Sequence, residues 1–168
     1  VFKVPYLRES FVRTGRPVTI ILGNAFKNTF VLALSSIVIA LFLGLILGVF
    51  SALYKDTLID KAILLISVLG MSLPSFFASI IMAWIFGFVL HNFTGLNMTG
   101  SLYEVDDYGR GEFINLKNLI LPAITLGIRP LSVIVQLTRN SLLEVLKTDY
   151  MRTAIAKGLS KFVVLFRH

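Results

Sequence analysis

Cysteine is absent from this sequence of 168 residues, charged residues are only 15% of it, and histidine occurs twice. Without cysteine there is neither a disulfide nor a thiolate metal site. His91 and His168 fall in a loop and at the last position, with no HExxH, no GxSxG and no intramembrane carboxylate pair, so no metal, no cofactor and no enzymatic chemistry are expected. A GxxxxGK[ST] phosphate loop is missing too, so any ATP hydrolysis belongs to another chain.

What is present is apolar surface. Hydrophobic residues make up 56% of the chain and the mean hydropathy is +0.84. A soluble core of this length needs a polar surface to match, yet here the charges cluster in short stretches between long apolar runs. Lipid is therefore the solvent for much of the molecule. The net charge of +7 is explained by Lys and Arg that flank membrane spans and meet lipid headgroups. No nucleic-acid partner is expected, because that reading needs a solvated basic face.

The expected fold class is all-α integral membrane, with three transmembrane helices over 29–54, 62–90 and 118–146. The first has an uncharged core from Phe30 to Leu53, long enough to cross about 30 Å of hydrocarbon. The second is broken near Gly70-Met71-Ser72-Leu73-Pro74, since proline removes a donor and clashes with the preceding turn. The third holds Pro122, Gly127, Arg129, Pro130, Gln136 and Arg139, and spans if these groups face protein or water. Between them lie a short charged link, 55–61, and a loop, 91–117, with acids at Glu104, Asp106, Asp107 and Glu112. The flanks, 1–28 and 147–168, carry nearly balanced positive charge, so the positive-inside rule leaves the orientation open. Opening on Val1 without an apolar leader and stopping at His168 in a run of helix formers, the chain reads as an internal fragment of a longer protein.

Small residues recur every fourth position in the first span at Ser36, Ala40, Gly44, Gly48 and Ala52, a stripe that admits another helix backbone at close range. A shorter stripe runs through Ser75, Ser79, Ala83 and Gly87. Such stripes indicate a bundle, static or moving. Arg129 and Gln136 are candidates for a translocation path. The competing reading has Arg129 snorkel to the interface or satisfy carbonyls loosened by Pro130, and Gln136 bond a neighbouring helix.

The most informative stretch follows the third span. Thr148 or Asp149 can cap a short helix that Gly158 ends in a left-handed conformation, and Ser160 can cap another running through Leu165. Taken alone, a basic helix there also suits a segment lying on lipid. The string Asp149-Tyr150-Met151-Arg152-Thr153-Ala154-Ile155-Ala156-Lys157-Gly158-Leu159-Ser160, however, closely resembles the cytoplasmic coupling loop of ABC importer permeases in the dipeptide, oligopeptide and nickel family. Arg152-Thr153-Ala154 and Gly158 stand where the wider superfamily has Glu-Ala-Ala and glycine, while Ile155 and Phe162-Val163 replace residues that are usually charged. Gly15-Arg16-Pro17-Val18, Ser72-Leu73-Pro74-Ser75-Phe76, Leu121-Pro122-Ala123-Ile124-Thr125-Leu126 and Leu137-Thr138-Arg139 extend the resemblance over 15–168.

The resemblance, nearest to the B-type oligopeptide permease, implies a bacterial cytoplasmic-membrane subunit with about six spans, of which this chain holds the second to fourth. It implies 1–28 and 91–117 outside the cell, and 55–61 and 147–168 in the cytoplasm. Implied partners are two ATPase subunits, a second homologous permease, an extracytoplasmic substrate-binding protein and membrane lipid. The ATPase-coupling residues carried over are Asp149, Tyr150, Arg152, Thr153, Ala154, Lys157 and Gly158. The implied function is ATP-driven import of dipeptides or oligopeptides. Nickel import by the same family, or a non-transporting scaffold with a lipid-binding basic tail, are the alternatives.

Overall fold

The computed structural model describes residues 7–12, 15–105, 111–149, 151 and 156–158. Helix dominates: α1 is Val18–Leu53, α2 Leu58–Ser72, α3 Ser75–Met82, α4 His91–Thr94 and α5 Lys117–Val145. The strands β1, Tyr103–Val105, and β2, Glu112–Ile114, pair antiparallel with Tyr103 opposite Ile114. The all-α membrane class is borne out, with this small hairpin as an addition inside the loop.

α1 has 36 residues, about 54 Å at 1.5 Å per residue, well beyond the thickness of the hydrocarbon layer. It starts directly after Pro17, whose missing N–H costs nothing at a helix entrance. The helix begins well before the uncharged run at Phe30 because Val18 to Ala25 contains no proline and is itself largely apolar. Its exit is a tight turn in which Asp56 takes φ +65°, a conformation that aspartate tolerates better than most residues. Thr57 then caps α2, its hydroxyl oxygen accepting from the Asp60 amide at 3.5 Å.

Leu73 is extended, as the residue before a proline prefers, and α2 and the helical stretch 75–89 meet at 113°. Past Met82 the chain widens into a π-helical segment, Ala83–Val89, where the Leu90 amide reaches back five residues to the Ile85 carbonyl at 2.8 Å. α1 and α5 are each long and apolar enough to cross a membrane, and the bent pair makes a third if it counts as one span.

The core is a glycine seam between α1 and α5. A Cβ at Gly44 would lie 2.8 Å from Ile134 Cγ2, one at Gly48 2.6 Å from Thr138 Cβ, and one at Gly127 2.9 Å from the Ser36 carbonyl oxygen. These partners ascend together, so α1 and α5 run parallel. Along α2 and α3 the order reverses: Asp60 meets Arg139, Gly70 meets Ser132 and Ile128, and Ser79 and Ala83 share a cavity with Leu121 and Thr125. The chain thus travels up α1 and back along α2, turns by 113° at Pro74 into α3, and then goes up α5.

Candidate functional site

Hydroxyls inside these helices mostly serve their own backbone. Ser36, Ser67, Ser72, Ser79, Thr125 and Ser132 each donate to a carbonyl three or four residues earlier, as expected where water is scarce. Ser51 departs from this pattern. Fully buried near the end of α1, it donates to Asp60 Oδ1 at 2.5 Å.

Asp60 is 2% exposed in the first turn of α2. Both of its oxygens are also taken by Arg139: Nε donates to Oδ1 and Nη2 to Oδ2, each at 2.7 Å. The Asp56 amide adds a bond to Oδ2 at 3.0 Å. This two-pronged fork, with the arginine side chain only 14% exposed, is the strong form of an ion pair. It joins the end of α1, the start of α2 and the last third of α5. The signal for it was the rule that an arginine in an apolar run needs a partner, together with the Thr57-x-x-Asp60 capping pattern. The partner itself lies 79 residues away, out of reach of any local pattern.

Beyond α5 the chain turns through Lys147 and Thr148, whose amides donate to Glu144 and Val145 carbonyls at 3.1 and 3.0 Å. The Thr148 hydroxyl donates backward to the Val145 carbonyl at 2.6 Å, so it closes α5. Helical backbone resumes at Asp149, Met151 is buried, and Lys157 is exposed. Gly158 has φ +86° with no described residue within 4 Å of a would-be Cβ. Tyr150, Arg152, Thr153 and Ala154, together with Ile155, Ser160 and Phe162-Val163, lie outside the described residues.

Ser36, Ala40, Gly44, Gly48 and Ala52 are all buried. Among the described residues the shorter stripe does not form a seam: Ser75 and Ser79 are exposed, and of the four only Gly87 is buried, against Met98. The bend at Pro74 turns α3 away, and the π-helical segment breaks the four-residue spacing.

Arg129 is exposed and makes no hydrogen bond or ion pair with any described residue, so the carbonyl loosened by Pro130 is not its partner. It sits in a stripe of α5 that no described helix covers, with Pro122, Leu126, Val133 and Leu137. Gln136 is half-buried, its Nε2 3.3 Å from Met71 Sδ across the α2 contact. Toward the start of α5 a cavity of about 310 Å³ is lined by the polar side chains of Ser79, Asn97, Thr99, Asn118 and Thr125. Asn118 is the knot here. Its Nδ2 donates to Glu104 Oε1 at 2.6 Å and to the Ser101 carbonyl at 2.9 Å, while Oδ1 accepts from Asn97 at 3.1 Å.

Residues 40–168 match the family described as binding-protein-dependent transport system inner membrane component. The chain is 35% identical over 147 residues to the dipeptide transport system permease protein DppB of Bacillus subtilis, covering 88% of the chain and 43% of that protein. It is 36% identical over 156 residues to the di/tripeptide transport system permease protein DppB of Pseudomonas aeruginosa, covering 85% and 46%. Against the oligopeptide transport system permease protein AppB of Bacillus subtilis it is 32% identical over 161 residues, covering 95% and 49%. The chain therefore spans about half the length of the curated relatives it matches.

Proposed function

From the premise that the chain belongs to the family of binding-protein-dependent transport system inner membrane components, we propose that it is part of the permease subunit of an ATP-driven peptide importer in a bacterial cytoplasmic membrane. The observation that carries this reading is the family match running unbroken from within α1 through the segment that follows α5. Dipeptides and oligopeptides are the cargo, in line with the relatives that are peptide permeases by name.

Three crossings are proposed, over 29–54, 62–90 and 118–146, with the bent pair as the middle one. The order of contacts along α5, Arg139 with Asp60, then Ser132 and Ile128 with Gly70, then Thr125 and Leu121 beside Ser79 and Ala83, is in line with this. Residues 1–28 and 91–117 then face outward, and 55–61 and 147–168 face the cytoplasm. There the turn from Asp149 to Gly158 docks on one of two ATPase subunits, while a second permease completes the path and a binding protein delivers cargo. Tyr150, Arg152, Thr153, Ala154 and Lys157 belong to that docking segment. Closure of the ATPases moves the docked segment and with it the helices, switching access from one side to the other. Arg129 faces the pathway from the uncovered stripe of α5, and Gln136 marks its border with α2.

The test is uptake of labelled dipeptides, oligopeptides and nickel in cells with and without the intact parent gene. Selective loss of peptide uptake is expected. Loss of nickel uptake alone moves the protein to a metal importer, and unchanged uptake with normal expression overturns the importer reading.

A further inference from the structure

We propose that Asp60 and Arg139 are positioning residues of the transport cycle: their buried ion pair, braced by Ser51, ties the end of α5 to the α1–α2 turn, so that a push on residues 149–158 moves all three helices as one body. This rests on the reading of 149–158 as the ATPase-docking segment.

Three observations carry it. Of the two ion pairs in which both partners are described, this is the one that joins two helices, and it lies six residues, about 9 Å, before the end of α5 at Val145. The neighbouring α1–α5 interface, where Gly44 and Gly48 face Ile134 and Thr138, is held by van der Waals contact, which has no directional bond in it. A bidentate fork at 2.7 Å on both prongs does not slide. Finally, the bend at Pro74, the π-helical segment Ala83–Val89 and the two prolines inside α5, Pro122 and Pro130, all lie on the far side of the pair from the docking segment, and between the pair and that segment the described chain makes one short turn, through Lys147 and Thr148. One end of the bundle is fastened and the other is built to bend. A buried pair contributes little net stability compared with apolar packing, so register is the better account of its presence.

The experiment uses the complete importer in proteoliposomes, with its binding protein, second permease and ATPases, and reads peptide uptake per ATP hydrolysed. The variants are Asp60→Asn, Arg139→Gln and the two together. Each single change buries an unpaired group, whereas the double change leaves no lone charge and is expected to assemble in normal amount. Its uptake per ATP is expected to stay down about tenfold, a usual size for lost coupling. Recovery of that ratio together with assembly overturns the proposal, since neutralisation repairs a merely structural pair. If the double variant does not assemble, Ser51→Ala decides. A ratio lowered about threefold, the scale of one hydrogen bond, supports the proposal, and an unchanged ratio overturns it. Gly158→Val, run in parallel, separates the two readings. Normal transport by that variant removes the docking assignment and this proposal with it; its uncoupling beside a fully coupled double variant removes the pair's role alone.

Discussion

Gly48 of α1 lies so close to Thr138 of α5 that a Cβ on the glycine would stand 2.6 Å from the threonine Cβ and 3.0 Å from the Val135 carbonyl oxygen. Backbone is on both sides of this contact, so a side chain cannot be accommodated by a rotamer change. Gly48→Leu is expected to destabilise the full-length protein by about 1–3 kcal/mol through overpacking. Gly23→Ala, on the same helix with no described residue within 4 Å of the added Cβ, is expected to be neutral or slightly stabilising. Thermal unfolding in detergent checks both. Equal effects at the two positions would mean that α1 and α5 do not meet along this seam.

Asn118, 8% exposed, ties the start of α5 to Glu104, Ser101 and Asn97 of the loop. Asn118→Leu removes these bonds and leaves Glu104 Oε1 with one partner fewer, at a cost of about 1–3 kcal/mol for buried groups left unmade. The loss is expected to be local. Limited proteolysis of the detergent-solubilised protein should cut the 95–116 segment faster in the variant, while the mass of α1 and α5 fragments stays protected. A cleavage pattern identical to the parent protein would show that the hairpin is held by other contacts.

What the sequence could reveal depended on how local the cause is. Pro74 acts on its own turn and its neighbour, so the break after Ser72 is legible from a few letters. The preference of Gly158 for positive φ is similar. The four-residue spacing from Ser36 to Ala52 is visible in one dimension, although nothing in it names α5 as the partner. Asp60 read as one charge in a short link, because its partner Arg139 is brought near only by tertiary packing. The equal spacing from Ser75 to Gly87 was misleading for a related reason. Periodicity assumes an uninterrupted α-helix, and the π-helical segment at Ala83–Val89 violates that assumption without a distinct sequence signal. Family and peptide-permease likeness, by contrast, came from the order of residues along whole segments, which composition does not carry.

Pro74→Ala restores a backbone donor and removes the ring that keeps Leu73 extended, so the 113° bend has less to hold it. The two halves are expected to swing toward a common axis. Spin labels at Ile66→Cys and Trp84→Cys, both exposed positions on either side of the bend, should then report a longer and broader distance distribution than in the proline parent. An unchanged distribution would place the cause of the bend in tertiary contacts, Gly70 against Ser132 among them.

Gly158 separates two explanations of why a glycine stands at the end of the segment proposed to dock. At φ +86° and with no described residue within 4 Å of a would-be Cβ, the constraint on Gly158 is expected to be backbone conformation and not lack of room. A Cβ in the left-handed region costs about 1–2 kcal/mol for ordinary residues, least for asparagine and most for β-branched side chains. The expected order of uptake per ATP is therefore Gly, then Asn, then Ala, then Val. Asparagine is larger than alanine, so a site limited by space would invert the middle of that series. Membrane insertion should be unaffected throughout, because a change of this size in one exposed turn does not reach the apolar spans. Measuring uptake and ATP hydrolysis across the four proteins gives the answer: on the proposed docking reading, Asn above Ala ties coupling to the backbone conformation at Gly158, whereas Ala above Asn points to a tight fit at this residue.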